Sequence, residues 1–373
     1  MKGSIRQRGS TWTWQHLTGT VGGKRQYATG TQRTKKLAQT ALTASLDKFN
    51  KGTLTAPSKL TVEQWLTKWL TTIDVKPATL HAYGDIVRCR LTPHLGQIRL
   101  TELRGSDIKA VYKALGTNGR KDGGPLSPGS VEATHRCLHR ALQQAVEDGV
   151  LQVNPADIPS RKRAPAVTAV LNPWTPDELN RFKASVAGDR LYPLWATAIA
   201  TGCRRGELAG LRWDDVDLDG GRITVINTRT STNYKVYEGS TKTGIGRPVG
   251  IDAETVDVLR QWHADQAQER MLAGEARVTN DYVFTEPDGN VTHPESITNR
   301  WDAAVKRSGL RRQRFHDARH AHASVLAHNG VDMVTISKRL GHSTPTLTMN
   351  LYVHANEESD RRAVAAFSEA MGQ

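Results

Sequence analysis

Between Thr61 and Leu70 the apolar side chains Val62, Trp65, Leu66, Trp69 and Leu70 recur three and four residues apart, the spacing of one helical face. Thr61 followed three residues later by Gln64 has the form of a capping box, in which each side chain satisfies a free amide of the other at a helix start. Similar periodicity predicts helices at about 79–92, 106–116 and 128–148, the last opening after Ser127-Pro128 and carrying Val131, Leu138, Leu142 and Ala145 inward. Four helices without a strand make an all-α module whose core is that apolar stripe. Ahead of it the period is two. Thr11-Trp12-Thr13-Trp14-Gln15-His16 turns through Gly19 and Gly22-Gly23 into Lys24-Arg25-Gln26-Tyr27, which reads as short antiparallel strands. From Thr34 to Phe49 the pattern becomes helical, with Ala38, Ala41, Leu42, Leu46 and Phe49 near one face, so a three-stranded sheet backed by one helix is expected, with Trp12 or Trp14 packed on that helix.

Residues 51–60 have linker composition, and a second linker runs from Asn154-Pro155-Ala156 through Pro159 to Pro165, bracketing Arg161, Lys162 and Arg163. Thr175-Pro176-Asp177-Glu178 then starts a helix with cap, first-turn proline and acidic third residue in place. Leu191 to Ile199 is apolar enough for a buried helix ending near Gly202. The β-branched run Arg222-Ile223-Thr224-Val225-Ile226 predicts a strand and Arg247-Pro248-Val249-Gly250-Ile251 a returning one, which puts Lys242 and Lys235 on the connection of a β-hairpin. Helices are expected at about 253–272, 294–308, 316–329, 332–340, 344–352 and 357–371. The fold class expected is multidomain, mainly α with small β-sheets, with domains at 1–56, 59–157 and 170–373.

Charge changes the picture more than length does. The 373 residues carry 51 Lys and Arg against 37 Asp and Glu, a net of +14 that calls for a polyanionic partner. Residues 1–56 hold Lys2, Arg6, Arg8, Lys24, Arg25, Arg33, Lys35, Lys36, Lys48 and Lys51 against the single Asp47. No apolar run is long enough to span a membrane, and the three isolated cysteines, Cys89, Cys137 and Cys203, fit reduced thiols in a cytoplasmic setting. No phosphate-binding glycine loop for ATP is present.

The candidate chemistry gathers near the C-terminus. Arg314, His316, Asp317, Arg319 and His320 are followed by Leu340-Gly341-His342 and then Tyr352. Arginine offers a planar fork matched to two phosphate oxygens, histidine exchanges a proton near neutral pH, and a tyrosine hydroxyl can form a covalent intermediate. Together they point to phosphoryl transfer on a nucleic-acid backbone. A metal reading competes, because His316 and His320 stand i, i+4 with His322 beyond. Asp317 stands where a zinc protease has its glutamate, however, and Arg319 sets a fixed positive charge beside any cation. No metal and no cofactor are expected.

The segments Thr201-Gly202-Cys203-Arg204-Arg205-Gly206-Glu207-Leu208, His316-Asp317-Ala318-Arg319-His320, Leu340-Gly341-His342 and Leu351-Tyr352 resemble, in order and with the ten-residue step from His342 to Tyr352, the signature boxes of the tyrosine recombinases, or phage-type integrases. The N-terminal segment is similar to the AP2-like arm-binding module of integrases, and the helical segment to their SAM-like core-binding domain. The resemblance implies that Arg204 and Arg319 are the active-site arginines, with Arg205 the competing assignment for the first. It implies that Glu207 orients Arg204, that Tyr352 is the nucleophile and His316 its base or orienting group, and that His342 bonds the scissile phosphate. It further implies that Lys242 protonates the leaving 5′ oxygen and that His320 is supporting. Tyr282 and Tyr234 are read instead as packed side chains. Lys2, Arg6, Arg8, Lys24, Arg25, Arg136, Arg140, Arg161, Lys162 and Arg163 are the expected DNA contacts, with Lys121 and His139 further phosphate contacts. The partners implied are double-stranded DNA at core and arm attachment sites and a homotetramer on that DNA, with room for a directionality factor or a DNA-bending host protein. The apolar face of 357–371 (Ala363, Val364, Phe367, Ala370, Met371) is expected to dock on a neighbouring protomer. Two other readings, a type IB topoisomerase-like enzyme or resolver of dimers and a DNA-binding regulator without catalysis, account for parts of the pattern. Cys203 and Ala318 depart from the larger apolar residues common at those positions, which implies local repacking.

Overall fold

A computed structural model describes residues 3–21, 24–50, 59–158, 172–240 and 246–341, with Ser368 and Met371. The chain divides into two compact units, Met1–Val167 and Thr168–Gln373.

In the first unit, β1 (Ser4–Arg8), β2 (Thr11–Val21) and β3 (Lys24–Gln32) form an antiparallel sheet in sequence order, and α1 (Lys35–Asn50) packs on it. Strand alternation sorts its side chains. Trp14 and His16 stack on the helix face, where His16 Nε2 and Ser45 Oγ share a 2.9 Å hydrogen bond and Ala38 and Leu42 are buried. Arg6 pairs with Thr13 and Thr13 with Thr31, so these three lie together on the opposite, polar face.

The helical segment comprises α2 (Val62–Thr72), α3 (Pro77–Ile86), α4 (Thr92–Leu95), α5 (Gly105–Asn118) and α6 (Pro128–Glu147). The capping box of Thr61 and Gln64 is formed in both directions. The helix expected at 79–92 is present and runs from Pro77 to Leu95, with a π turn, Val87–Leu91, between α3 and α4. Pro93 lacks the amide that would continue the ladder, and the carbonyls ahead of it re-pair with a longer step. Val62, Trp65, Leu66, Trp69, Leu138, Leu142 and Ala145 are buried together, and the Trp65 indole donates to the Ala141 carbonyl at 2.8 Å.

The second unit opens with α7 (Pro176–Ser185), α8 (Tyr192–Thr201) and α9 (Arg205–Ala209). Next come β4 (Val216–Asp217), β5 (Arg222–Val225), β6 (Asn227–Thr232), β7 (Lys235–Ser240) and β8 (Arg247–Gly250). Strands β5 and β8 pair as expected, but their connection contains a hairpin of its own, β6–β7, whose turn places Asn233 and Tyr234 at positive φ. Lys235 therefore begins a strand, and Tyr234 is 84% exposed at the hairpin tip, contrary to its reading as a packed residue. Tyr282 is packed, between the Arg212 and Arg229 guanidinium groups, and its hydroxyl oxygen accepts from Arg212 Nη2 at 3.1 Å. Among the described residues the α-helices that follow are α10 (Ala253–Ala273), α11 (Pro294–Ser308), α12 (Phe315–His328) and α13 (Met333–Leu340). The core is aromatic: Trp174, Phe182, Trp195, Trp301 and Phe315 form one contiguous cluster. Cys203 and Ala318 are both buried at its edge. The helices expected at 344–352 and 357–371 fall, apart from Ser368 and Met371, outside the described residues.

Candidate active site

Two helix C-termini build the site. An α-helix ends with carbonyls that have no partner of their own and a partial negative charge, which suits cationic side chains. At the end of α8 the Ile199 carbonyl accepts from His322 Nδ1 at 2.9 Å, that of Ala200 from Arg339 Nη2 at 2.9 Å and that of Gly202 from Arg319 Nη1 at 2.8 Å. At the end of α13 the Leu340 carbonyl accepts from Arg319 Nη2, and that of Gly341 from Arg204 Nη2 at 2.8 Å. Both helices stop on glycines in the left-handed conformation, Gly202 at φ 63° and Gly341 at φ 65°. A Cβ on Gly202 would also stand 2.8 Å from Leu340 and 3.0 Å from His322.

Arg319, from α12, is thus anchored by one guanidinium to two helix ends and is only 2% exposed. Burial and then the neighbouring Arg204 guanidinium press its pKa down to about 9, so it remains a cation at neutral pH. Arg204 caps α9 and is half-exposed, with Nη1 donating to Glu207 Oε1 at 2.7 Å and its backbone amide to Oε2 at 2.9 Å. Glu207 is 5% exposed. Burial would raise its pKa, but hydrogen bonds from Arg247 and Arg204 hold the carboxyl below the usual range, and it is an anion. Arg205, the competing arginine, turns instead to Thr298 Oγ1 at 2.9 Å.

His316 and His320 stand edge to face on α12 with ring centroids 4.9 Å apart. His316 presents an exposed edge to solvent, and partial burial, His320 and Arg319 lower its pKa to about 4, so at neutral pH its ring is uncharged and can accept a proton. Burial lowers that of His320 as well. Asp317 is held by Arg314, with Nε to Oδ2 at 3.0 Å and Nη2 to Oδ1 at 2.8 Å. Among the described residues no group of three His, Cys, Asp or Glu is placed to hold a metal ion.

The structure therefore brings Arg204, Glu207, Arg319, His316 and His320 into one locality. Lys242, His342 and Tyr352 lie outside the described residues, as do Lys2, Arg161, Lys162 and Arg163, and the side chain of Lys24 is not described. Arg6, Arg8 and Arg25 are exposed on the N-terminal sheet, and Lys121, Arg136 and Arg140 are exposed in the helical segment. His139 pairs with Asp157 at 2.8 Å, which engages it within the protein. Sequence reasoning missed Arg247, which grips Glu207 from β8, and the His322–Arg339 pair, in which Arg339 Nε donates to His322 Nε2 at 3.0 Å. One signal was available for Arg247: strand alternation puts it on the same face as the buried Val249.

A profile described as "Phage integrase family" matches residues 175–359, and one described as "Phage integrase, N-terminal SAM-like domain" matches 61–116. The ICEBs1 integrase of Bacillus subtilis is 30% identical over 288 residues, which span 76% of this chain and 75% of that protein. The chain belongs to the phage integrase family. It is a tyrosine site-specific recombinase, an enzyme that breaks and rejoins DNA. A tyrosine recombinase XerC-like protein of Caldanaerobacter subterraneus subsp. tengcongensis is 26% identical over 359 residues, 90% of each chain. The fold matches that of the Tn1549 transposon integrase in complex with transposon right end DNA, with a TM-score of 0.70 at 22% identity, over 83% of this chain and all of the other. The resemblance read from the signature boxes and the expected fold class both hold. Among the described residues no helix is long and apolar enough to cross a membrane.

Proposed function

We propose that this integrase inserts and excises a phage or other mobile element, with Tyr352 as nucleophile and Arg204 and Arg319 as the cations on the scissile phosphate. The Tyr352 hydroxyl oxygen attacks phosphorus and the bond to the 5′ oxygen breaks, leaving a 3′-phosphotyrosyl link. His316 takes the phenolic proton, Lys242 gives one to the departing 5′ oxygen, and His342 bonds a phosphate oxygen. Energy of the broken phosphodiester stays in the covalent link, so neither ATP nor a metal is required.

The observation that carries this reading is the pair of arginines, Arg204 and Arg319, fixed before substrate arrives by carbonyls at two helix ends. Negative charge grows on the non-bridging oxygens during attack, and cations already in place stabilise it without reorganising. The lowered pKa of His316 suits a group that must begin neutral. The assignments of Tyr352, Lys242 and His342 rest on the signature boxes.

DNA recognition is divided among three domains in this proposal. The module at 1–56 binds arm sites through Arg6, Arg8, Lys24 and Arg25, with Lys2 ahead of them. The domain at 59–157 grips the core site through Arg136 and Arg140, the linker follows the backbone through Arg161, Lys162 and Arg163, and 170–373 cuts. Four protomers assemble on DNA, with 357–371 docked on a neighbour; deleting 357–373 should then abolish synapsis and cleavage together.

A cleavage trap tests the chemistry. Wild type and Tyr352→Phe are incubated with nicked duplexes from the element's candidate attachment sites, and SDS-resistant protein–DNA adducts are scored. A 3′ adduct with wild type alone is expected. An adduct formed by the variant, or none by wild type on DNA that it binds specifically, overturns the assignment.

A further inference from the structure

Arg247 carries no role in the chemistry above, yet it occupies the interior of the site. It opens β8, five residues beyond Lys242 in the chain. Its Nη2 donates to Glu207 Oε2 at 2.9 Å and its Nη1 to Oε1 at 3.3 Å, a two-pronged grip on the carboxylate whose other contacts are the Arg204 amide and Nη1. Nη2 also lies 3.9 Å from the Cys203 sulfur. A Cβ on Gly341 would fall 2.2 Å from Arg247 Nη1, so the turn that ends α13 rests directly on this guanidinium. That same Gly341 offers the carbonyl that receives Arg204 Nη2.

Both anchors of Arg204 therefore stand on Arg247. One is the Glu207 carboxylate, which Arg247 holds in a single orientation, and the other is the Gly341 carbonyl, whose close approach only a glycine over this guanidinium permits. Two arginines bond one carboxylate and Arg319 lies close enough to feel its charge, which leaves the locality with excess positive charge. Were Arg247 absent, the buried carboxylate would have Arg204 as its remaining strong partner. Arg204 would then be drawn toward Glu207 and away from its half-exposed position. We propose that Arg247 is a positioning residue for DNA cleavage: by occupying one side of Glu207 and supporting the Gly341 turn, it keeps the Arg204 guanidinium aimed at the scissile phosphate. This rests on the reading of Arg204 as a phosphate cation.

The test uses the full chain and a nicked duplex carrying the attachment site, made once with the natural scissile phosphate and once with a methylphosphonate there, which replaces a charged oxygen by methyl. A misplaced catalytic group costs on the order of 10²-fold in rate. Arg247→Ala is expected to cleave the natural duplex about that much more slowly, and to come within about threefold of wild type on the uncharged one. The double variant Arg204→Ala/Arg247→Ala should match Arg204→Ala within about threefold, because a residue that acts through Arg204 has nothing left to position. Arg247→Lys keeps the charge but lacks the fork, so an intermediate loss of about tenfold is expected; it also serves for both comparisons should the alanine variant fail to fold. Losses that multiply in the double variant, or a deficit that persists on methylphosphonate while that of Arg204→Ala disappears, overturn the positioning role. If Arg204→Ala itself gains nothing from the neutral phosphate, the fault lies with the reading of Arg204 instead.

Discussion

The interior of the helical segment between Val62 and Ile158 is almost wholly apolar, with Thr134 and Asn154 its buried polar residues, whereas the junction of α8, α12 and α13 buries Glu207, Arg319 and His322. Leucine and tryptophan side chains hold the first by their removal from water, which is non-directional and tolerant of substitution within a given volume. The second is held by directed hydrogen bonds from cations to helix-end carbonyls and one carboxylate. Such a network demands that every member be satisfied, because an unpaired charge in the interior is expensive. Apolar packing supplies stability in the one region, and in the other the polar network supplies a rigid geometry for two cations. Damage to the two regions should accordingly have different signatures.

The largest effect is expected from Glu207→Ala. Removing the one carboxylate among Arg204, Arg247 and Arg319 leaves buried positive charge uncompensated, at a cost of about 3–5 kcal/mol, and cleavage should fail with it. Thermal unfolding and the adduct assay measure the two together. Leu138→Ala opens a cavity in the apolar core and should cost about 2–5 kcal/mol. Below its melting temperature, however, this variant should retain the cleavage rate of wild type on bound DNA. If it loses chemistry as Glu207→Ala does, the two regions are not separable in this way.

Acid should act on the polar junction through its histidines. His322 titrates near 6.5 when unfolded and near 4 when folded, chiefly because it is buried, then because of Arg339. Between those values the unfolded state binds more protons, so stability rises with pH across the window. The contribution is complete above 6.5 and is lost as pH falls toward 4. Melting followed over that range should show the slope, to which His316 and His320, also lowered, contribute with the same sign, and His322→Gln should reduce it without abolishing it. Gly341→Ala forces a side chain into the left-handed region and against Arg247, for about 1–3 kcal/mol and a slower cleavage step. The smallest effect belongs to Thr175→Ala, which removes the cap of α7 and should cost about 1 kcal/mol with cleavage unchanged.

Much of this was legible in the chain. Helices α6 and α10 to α13 begin and end close to where caps and periodicity put them, α2 and α7 begin at their expected caps, and the signature boxes name Arg204, Glu207 and Arg319. The π turn at Val87–Leu91 was missed because a sustained apolar period hides a change of step within it. The separate β6–β7 hairpin was missed because Thr228, Arg229, Thr230 and Ser231 carry no apolar alternation, and nothing marks Asn233-Tyr234 as a two-residue turn without the glycine usual there.

What the amino-acid sequence determined by itself is therefore local or patterned: element types, caps, the basic N-terminal segment and the kinds of side chain in each box. Tertiary structure decided which groups those side chains meet. Arg205 and Arg204 are adjacent and chemically identical, yet one turns to Thr298 and the other to Glu207 and Gly341. Arg247 is one basic residue among many until β8 carries it beneath Gly341, nearly a hundred residues along the chain. Periodicity reports which face of an element is buried, because burial repeats with the backbone. A hydrogen bond between distant residues repeats with nothing, and it exists only when folding brings a helix end, a strand and a carboxylate to one place.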